Sequence, residues 1–394
     1  MKLLINASTL APPRTGIGQY TKNLISAFLD MNELDSIVGF NFGRIIDAET
    51  LRSLTSETLS YPITSGGVER WFPRVAKAIA RNYSFIYHVR HSLRSYYESR
   101  SIEPYMKNGY IYHETNTIPV RTTGKRVVTV HDLSQLRSPS YHPSGRVSFL
   151  NKNLPFVLKN VDRIITVSNF SAREIIDVYG VPVEKVKVTY LAAEKIFRPR
   201  ELVEVYNTLR LYRLQYKKFI LSVATLEPRK NLMRLIAAHK SLPENIRKNY
   251  PLVLCGASGW RNADVLRVIS KAERNNEVMR TGYLSRTALA ELFSSAAVLA
   301  YPSLYEGFGM PVLEGFASGT AVLTSNLTSM PEISMGAAIE VDPHSIDALR
   351  DGLLRLLEDQ TLMDECIRKG FTRSNSFSWY KCAKDTLSVY REII

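Results

Sequence analysis

The feature that most restricts the fold is a repeated alternation of short apolar runs with stretches of helical character, interrupted once near the middle. Six runs, over residues 2–7, 37–42, 110–114, 126–131, 163–167 and 185–190, are rich in Val, Ile and Tyr. Strands covered on both faces read this way, because neither side meets water. Helices are expected between them, among others over 21–29 and 171–179, with Ser171 as N-cap and Glu174 completing a capping box. Residues 194–204 then turn charged, and the pattern restarts with runs at 218–224, 252–256, 278–282, 296–302, 321–325 and 338–341. Alternation of this kind builds a parallel sheet with helices on both faces, so two arrays predict two doubly wound α/β domains. The expected division is a first domain over 1–198, a second over 199–376 and a last amphipathic helix within 377–394. Ligands of such sheets bind outside the carboxyl ends of the strands, which predicts a site in a cleft between two facing domains.

A chain of 394 residues suits two domains, and its 45% hydrophobic content is that of an ordinary globular protein. No stretch approaches the ~18 uncharged apolar residues of a membrane-spanning helix. The opening apolar run is too short for a signal peptide and reads as a first strand, so a cytoplasmic location is expected. Cys255, Cys366 and Cys382 are scattered, with no zinc spacing, so neither a metal nor another cofactor is expected.

The formal charge of +14 implies an anionic partner: nucleic acid, an anionic membrane or a phosphorylated substrate. It is uneven. Residues 68–107 carry eight basic side chains against three acidic ones, interleaved with aromatics such as Trp71, Phe72, Tyr83 and Tyr96. Basic helices with an aromatic face lie on anionic lipid headgroups; two ordinary helices with solvated basic faces would have the same composition.

The residues richest in chemistry follow the run 296–302: Tyr305-Glu306-Gly307-Phe308-Gly309-Met310-Pro311-Val312-Leu313-Glu314. Two glycines open a tight loop, and Pro311 stands where a helix should begin. Strand, loop and helix N-terminus make an anion site, since free N–H groups and the helix dipole both point outward. Glu306 lies in the loop and Glu314 about one turn into the helix, so one carboxylate is placed for a sugar and the other for ribose hydroxyls. Alone, the pair of glutamates is common; the order of strand, glycine loop, proline and second glutamate is not.

This segment resembles the E-x7-E motif of the retaining glycosyltransferases of GT-B fold, and family 4 of those enzymes in particular. The resemblance spans almost the whole chain, densely from His131 onward. It implies catalytic roles for Glu306, His131, Lys230 and Arg229. It implies a donor site built from Gly16, Gly18, Arg229, Lys230, Tyr283, Leu284, Glu306, Gly307, Phe308, Gly309, Met310 and Glu314, with no metal. Gly16-Ile17-Gly18 matches the family's first glycine loop, expected to approach a phosphate. A dinucleotide fingerprint is disfavoured, because Thr21 holds the third glycine position and no acid ends the second strand. His131 ends the run 126–131, where the family places a histidine beside the transferred sugar. In Leu226-Glu227-Pro228-Arg229-Lys230-Asn231, two cations precede a helix and suit a diphosphate. Lys230 matches the family's lysine, but Thr225 stands where its arginine belongs, so Arg229 would act from a different angle. Gly282-Tyr283-Leu284 resembles the nucleobase turn.

The function implied is retaining transfer of a hexose, mannose from GDP-mannose first, to a lipid-linked saccharide or polysaccharide of the bacterial surface. The enzyme would sit in the cytoplasm, peripherally on the inner face of the membrane, and bind no nucleic acid. Rhamnosyl or glucosyl transfer from a dTDP- or UDP-sugar is the alternative, followed by a sugar-nucleotide epimerase or a basic nucleic-acid-binding protein. The side chains of Glu306 and Lys230 are expected to face the cleft, so that removing either would lower the melting temperature little.

Overall fold

The computed structural model describes residues 1–11, 14–56, 84–257, 259, 262–274 and 278–394, with backbone alone over 84–94. Most of the basic aromatic stretch, residues 68–83 with Arg70, Arg74, Lys77 and Arg81, therefore lies outside the described residues.

The chain forms two compact units, one of Met1–Leu191 with Trp379–Ile394, the other of Ala192–Ser378. The break in sequence pattern near residue 199 falls inside the second unit. Arg200 donates its backbone N–H to Ser294 Oγ at 2.7 Å, and the Phe197 ring meets Phe293 edge-on at 5.3 Å. A charged, irregular stretch is thus held by backbone and aromatic contacts that leave no periodic trace.

In the first unit the described strands are β1 (Lys2–Asn6), β2 (Ser36–Asn41), β3 (Arg44–Ile46), β4 (Ile111–Glu114), β5 (Arg126–Thr129), β6 (Arg163–Thr166) and β7 (Val186–Val188). They form one sheet in the order β3-β2-β1-β4-β5-β6-β7, parallel except where β3 returns against β2. The apolar strands are buried to the degree their composition predicts: Leu3, Leu4, Ile5, Val127, Val128, Ile164 and Ile165 are all fully covered. Sequence reading missed β3. It is a three-residue edge strand reached through a two-residue turn, with Phe42 at φ 47° and Gly43 at φ 79°. Two successive positive φ values are what a tight hairpin needs to match strand twist.

Two local expectations are corrected. The helix after β1 begins at Gly16 and runs to Met31, so Gly16 and Gly18 form its first turn and not a loop before it. The helix Asn169–Tyr179 is capped by Ser168, whose side chain accepts from the Ser171 N–H. Ser171 lies inside the helix, and Glu174 pairs with Arg137 at 2.6 Å instead of closing a capping box.

The helix Trp379–Arg391 belongs to the first unit. Trp379 packs near Tyr20, Tyr390 lies 6.0 Å from Phe28, and the Tyr390 hydroxyl is 2.6 Å from His113 Nδ1. His113 Nε2 reaches Thr129 Oγ1 at 2.8 Å, which is 2.9 Å from the Tyr20 hydroxyl. This fully buried polar chain joins the last helix, the first helix and two strands.

In the second unit β8 (Ile220–Val223), β9 (Leu252–Cys255), β10 (Val278–Gly282), β11 (Val298–Tyr301), β12 (Ala321–Ser325) and β13 (Ile339–Val341) make a parallel sheet. Its order is β10-β9-β8-β11-β12-β13. The order reverses between β8 and β11, so the loops leaving these two neighbours part to opposite faces and open a crevice at their carboxyl ends. Among the described residues no helix is long and apolar enough to cross a membrane.

Candidate active site

The crevice receives 224–231 after β8 and 302–309 after β11, the two loops that carry the sequence motifs. They are stitched together by backbone: Leu304 N–H donates to the Arg229 carbonyl at 2.9 Å. Asn231 ends the turn Pro228–Lys230 at φ 61°, a conformation Asn tolerates. Its side-chain amide donates to the carbonyls of Pro302 and Pro343 at 3.1 and 2.7 Å. The turn is thereby fixed, and Lys230 points inward.

Lys230 Nζ lies 2.5 Å from Glu306 Oε1 and 3.0 Å from the Tyr301 hydroxyl, which itself donates to Glu306 Oε1 at 2.8 Å. Arg229 Nη1 donates to Glu306 Oε2 and to the Tyr305 carbonyl, both at 2.9 Å, while its Nε holds Glu227 at 2.8 Å. Glu306 is 6% exposed and Lys230 8%. The two are buried and bound to each other, so removing either is not expected to spare stability. Burial pushes the Glu306 carboxyl up, but Arg229 and Lys230 outweigh it and hold the group down at about 2. Burial and the Arg229 charge lower Lys230, against the pull of Glu306 and Glu227.

The helix Met310–Ala317 starts immediately after this loop. Its N-cap Gly309 has φ 97°, which favours glycine, and a Cβ there would stand 2.3 Å from Met330 Cε and force that side chain to shift. Pro311 occupies the first turn, where its missing N–H is no loss. Gly307, Phe308 and Gly309 are buried and Met310 is half-buried. Ser329 Oγ donates to the carbonyls of Glu306 and Phe308 at 3.0 and 3.1 Å, fixing the loop from below.

Glu314 projects from that helix and is 3% exposed. Arg286 Nη2 donates to Glu314 Oε1 at 2.8 Å and to Glu194 Oε1 at 2.5 Å. Burial raises the Glu314 carboxyl, with Glu194 adding to the rise and Arg286 opposing it. Tyr283, 55% exposed, and half-buried Leu284 lie between β10 and the helix Arg286–Ser295.

Residues 16–193 match the family described as Glycosyltransferase Family 4, and residues 213–373 match Glycosyl transferases group 1. The chain is 30% identical, over 99% of its own length and 100% of the relative's, to O-antigen chain mannosyltransferase B of Escherichia coli. The chain belongs to glycosyltransferase family 4. Its fold is GT-B. The solved glycosyltransferase WaaG, involved in lipopolysaccharide biosynthesis, superposes with a TM-score of 0.70 at 14% identity, covering 99% of both chains. HepE of Anabaena, solved with UDP-glucose, gives a TM-score of 0.68 at 16% identity over the full length of both.

The structure thus brings Arg229, Lys230 and Glu306 of the glycosyltransferase into one cluster and ties Glu314 to the helix that follows Gly282-Tyr283-Leu284 through Arg286. Gly16, Gly18 and His131 lie in the first unit. Gly16 is exposed at a helix N-terminus with open space where a Cβ would stand. Gly18 is buried, and a Cβ there would fall 2.6 Å from the Thr9 carbonyl oxygen, so packing alone requires glycine. His131 Nε2 donates to the Thr115 carbonyl at 2.9 Å, and its ring meets Tyr20 edge-on at 4.9 Å. Burial lowers its pKa, with Thr115 and Asp132 opposing. Asp132 accepts the Ser134 N–H at 2.9 Å and so shapes the loop. Sequence reading missed Tyr301, Glu227, Arg286 and Glu194. Tyr301 ends the apolar strand that precedes the motif, and Glu227 lies within the segment 226–231, so these two had a local signal and the other two had none.

Proposed function

We propose that this glycosyltransferase moves mannose from GDP-mannose to a lipid-linked saccharide or polysaccharide of the bacterial surface, with retention at the anomeric carbon and without a metal. The observation that carries the reading is the Arg229–Glu306–Lys230 cluster at the β8/β11 crevice, beside the N-terminus of Met310–Ala317. A departing diphosphate entering there meets two cations and a helix dipole, which stabilise charge as it develops. Glu306 keeps both cations in place and faces the sugar. Glu314 accepts hydrogen bonds from the ribose hydroxyls, since a carboxylate has about four acceptor positions and Arg286 takes one. His131, neutral near pH 7, lies beside the transferred sugar, and the Gly16 N-terminus approaches the donor phosphates. In the reaction the bond from the anomeric carbon to the diphosphate oxygen breaks, a bond to the acceptor hydroxyl oxygen forms, and that hydroxyl's proton passes to the departing diphosphate.

Mannose and the surface-polysaccharide acceptor rest on the similarity to an O-antigen mannosyltransferase. The UDP-glucose complex of HepE supports a nucleotide diphosphate sugar donor and keeps UDP-glucose as the competing donor. The first unit is the acceptor domain in this reading. It holds a cavity of about 600 Å³ lined by Asn6, Glu98, Glu114, Arg146, Phe149 and Phe156. Carboxylates, amides and arginine beside aromatic rings suit neutral sugar hydroxyls and C–H faces. The basic stretch 68–107 would hold the enzyme on the inner face of the cytoplasmic membrane.

The test is turnover of GDP-mannose, UDP-glucose and dTDP-rhamnose, each with a mannose-terminated acceptor, with the new linkage read by NMR. Preference for another donor overturns the mannosyl reading, and an inverted linkage overturns retention.

A further inference from the structure

Arg286 is the first residue of the helix Arg286–Ser295, two positions after Leu284. One nitrogen, Nη2, bridges Glu194 at 2.5 Å and Glu314 at 2.8 Å, and the guanidinium lies 4.5 Å over the Phe197 ring centroid. Both carboxylates are buried, Glu194 at 7% exposure and Glu314 at 3%. Two negative groups therefore share one positive one, away from water. We propose that Arg286 is a positioning residue of the donor site: it holds Glu314 ionised and aimed at the ribose, and Glu194 limits how much of its charge Glu314 receives. This rests on the reading of Glu314 as the ribose acceptor.

The physical basis is simple. A carboxylate taken out of water without a cation takes up a proton. Once protonated, it keeps one oxygen as a free acceptor and turns the other into a donor, which no longer suits two hydroxyls. Arg286 prevents this, and Glu194 opposes it by adding a like charge and competing for Nη2. Among the described residues Cys255, at the end of β9, also feels Glu314: burial and that carboxylate push its thiol up to about 11, against a hydrogen bond with Thr281, and leave it neutral. Because Arg286 also starts the helix that follows the nucleobase turn, it fixes the ribose acceptor relative to the base.

The experiment is calorimetric titration of GDP and of UDP from pH 5 to 9, following whichever binds the wild-type chain more tightly. Variants are compared with one another, so the ligand's own protonation cancels. Binding should weaken at low pH as Glu314 takes up a proton. Arg286→Gln should move that loss to higher pH and weaken binding at pH 7 about tenfold or more, as loss of a charged hydrogen bond does. Arg286→Lys should restore most of it. Glu194→Gln should move the loss the other way, to lower pH. Opposite shifts support the proposal, and a purely structural role would not produce them. Shifts in the same direction, or no shift in either variant, overturn it. Should Arg286→Gln not fold, Glu194→Gln and Arg286→Lys decide alone. Glu314→Gln separates the two readings. If it binds as wild type, the ribose assignment fails and this proposal with it. If it weakens binding while the other variants leave the pH dependence in place, only the role of Arg286 fails.

Discussion

Lys230 Nζ and Glu306 Oε1 stand 2.5 Å apart, each brought there by the loop after one of two adjacent strands. The pair is at once part of the proposed chemistry and part of the core. Lys230→Ala and Glu306→Ala should each lower turnover by about 10²-fold or more, as loss of a focused electrostatic contact does. Glu306→Ala should also destabilise the protein by about 3–5 kcal/mol, because Lys230 is left buried without its carboxylate, whereas Lys230→Ala should cost less, since Arg229 and Tyr301 still hold Glu306. Turnover and denaturant unfolding on the same samples check both. A variant with wild-type stability would mean that the site hydrates freely.

The depressed Glu306 carboxyl makes a pH prediction. Its folded value of about 2 lies below an unfolded value of about 4.3, so the unfolded state binds more protons between them. Its stabilisation is full above the unfolded value and is lost as pH falls through the folded one. Glu306→Gln should therefore flatten the fall in stability between about pH 4.5 and 2. An unchanged slope would assign the acid sensitivity to other groups.

His113 predicts a second window. Burial and the nearby charge of His131 push its pKa down to about 3, against about 6.5 when unfolded. It must stay neutral in the fold, so stability it contributes above pH 6.5 is lost as pH falls toward 3. His113→Gln should be less stable at pH 7 yet show a shallower decline from pH 6.5 to 4, measured by urea unfolding at each pH. A decline as steep as wild type would remove His113 as the titrating group.

The glycines separate packing from ligand approach. Gly309→Ala should lose several degrees of melting temperature and most activity, given φ 97° and the contact with Met330. Gly16→Ala meets nothing and sits in a helix, so stability should hold or rise slightly. If the backbone there approaches a phosphate, the donor KM should still increase. An unchanged KM would return Gly16 to an ordinary helix start.

The twin parallel sheets were legible because each strand is a self-contained apolar run, and the loop before Met310–Ala317 because glycine, proline and glutamate are local signals. The edge strand Arg44–Ile46 was not, since three half-buried residues show no periodicity. Nor were Arg286 and Glu194. A buried ion pair is made by residues far apart in the chain, such as Arg286 and Glu194, 92 positions apart, and neither end announces its partner. Ser171 was taken for a cap because its sequence context fits, but the capping hydroxyl is that of Ser168, three residues earlier.

In the proposed function the stretch 68–107, with eight basic and three acidic residues, supplies part of the +14 charge and meets an anionic membrane. Reversing Arg74, Lys77 and Arg81 to glutamate should abolish binding to acidic vesicles and reduce activity on a lipid-linked acceptor, while a short soluble acceptor is still used. Binding should also weaken with salt, since exposed charges are screened within ~10 Å at 0.1 M. Equal loss with both acceptors would place these residues in the acceptor site instead.

The contact between Tyr390 and His113 spans 277 positions. During synthesis, the strands of the first unit leave the ribosome long before the helix that covers them. Until that helix arrives, His113, Phe28 and Tyr20 lack the partners that Trp379 and Tyr390 give them. The second unit, made of one unbroken stretch, completes its own core first. The half of the protein that is begun first is therefore the half that is finished last, and its aggregation-prone interval lasts as long as translation of the other half.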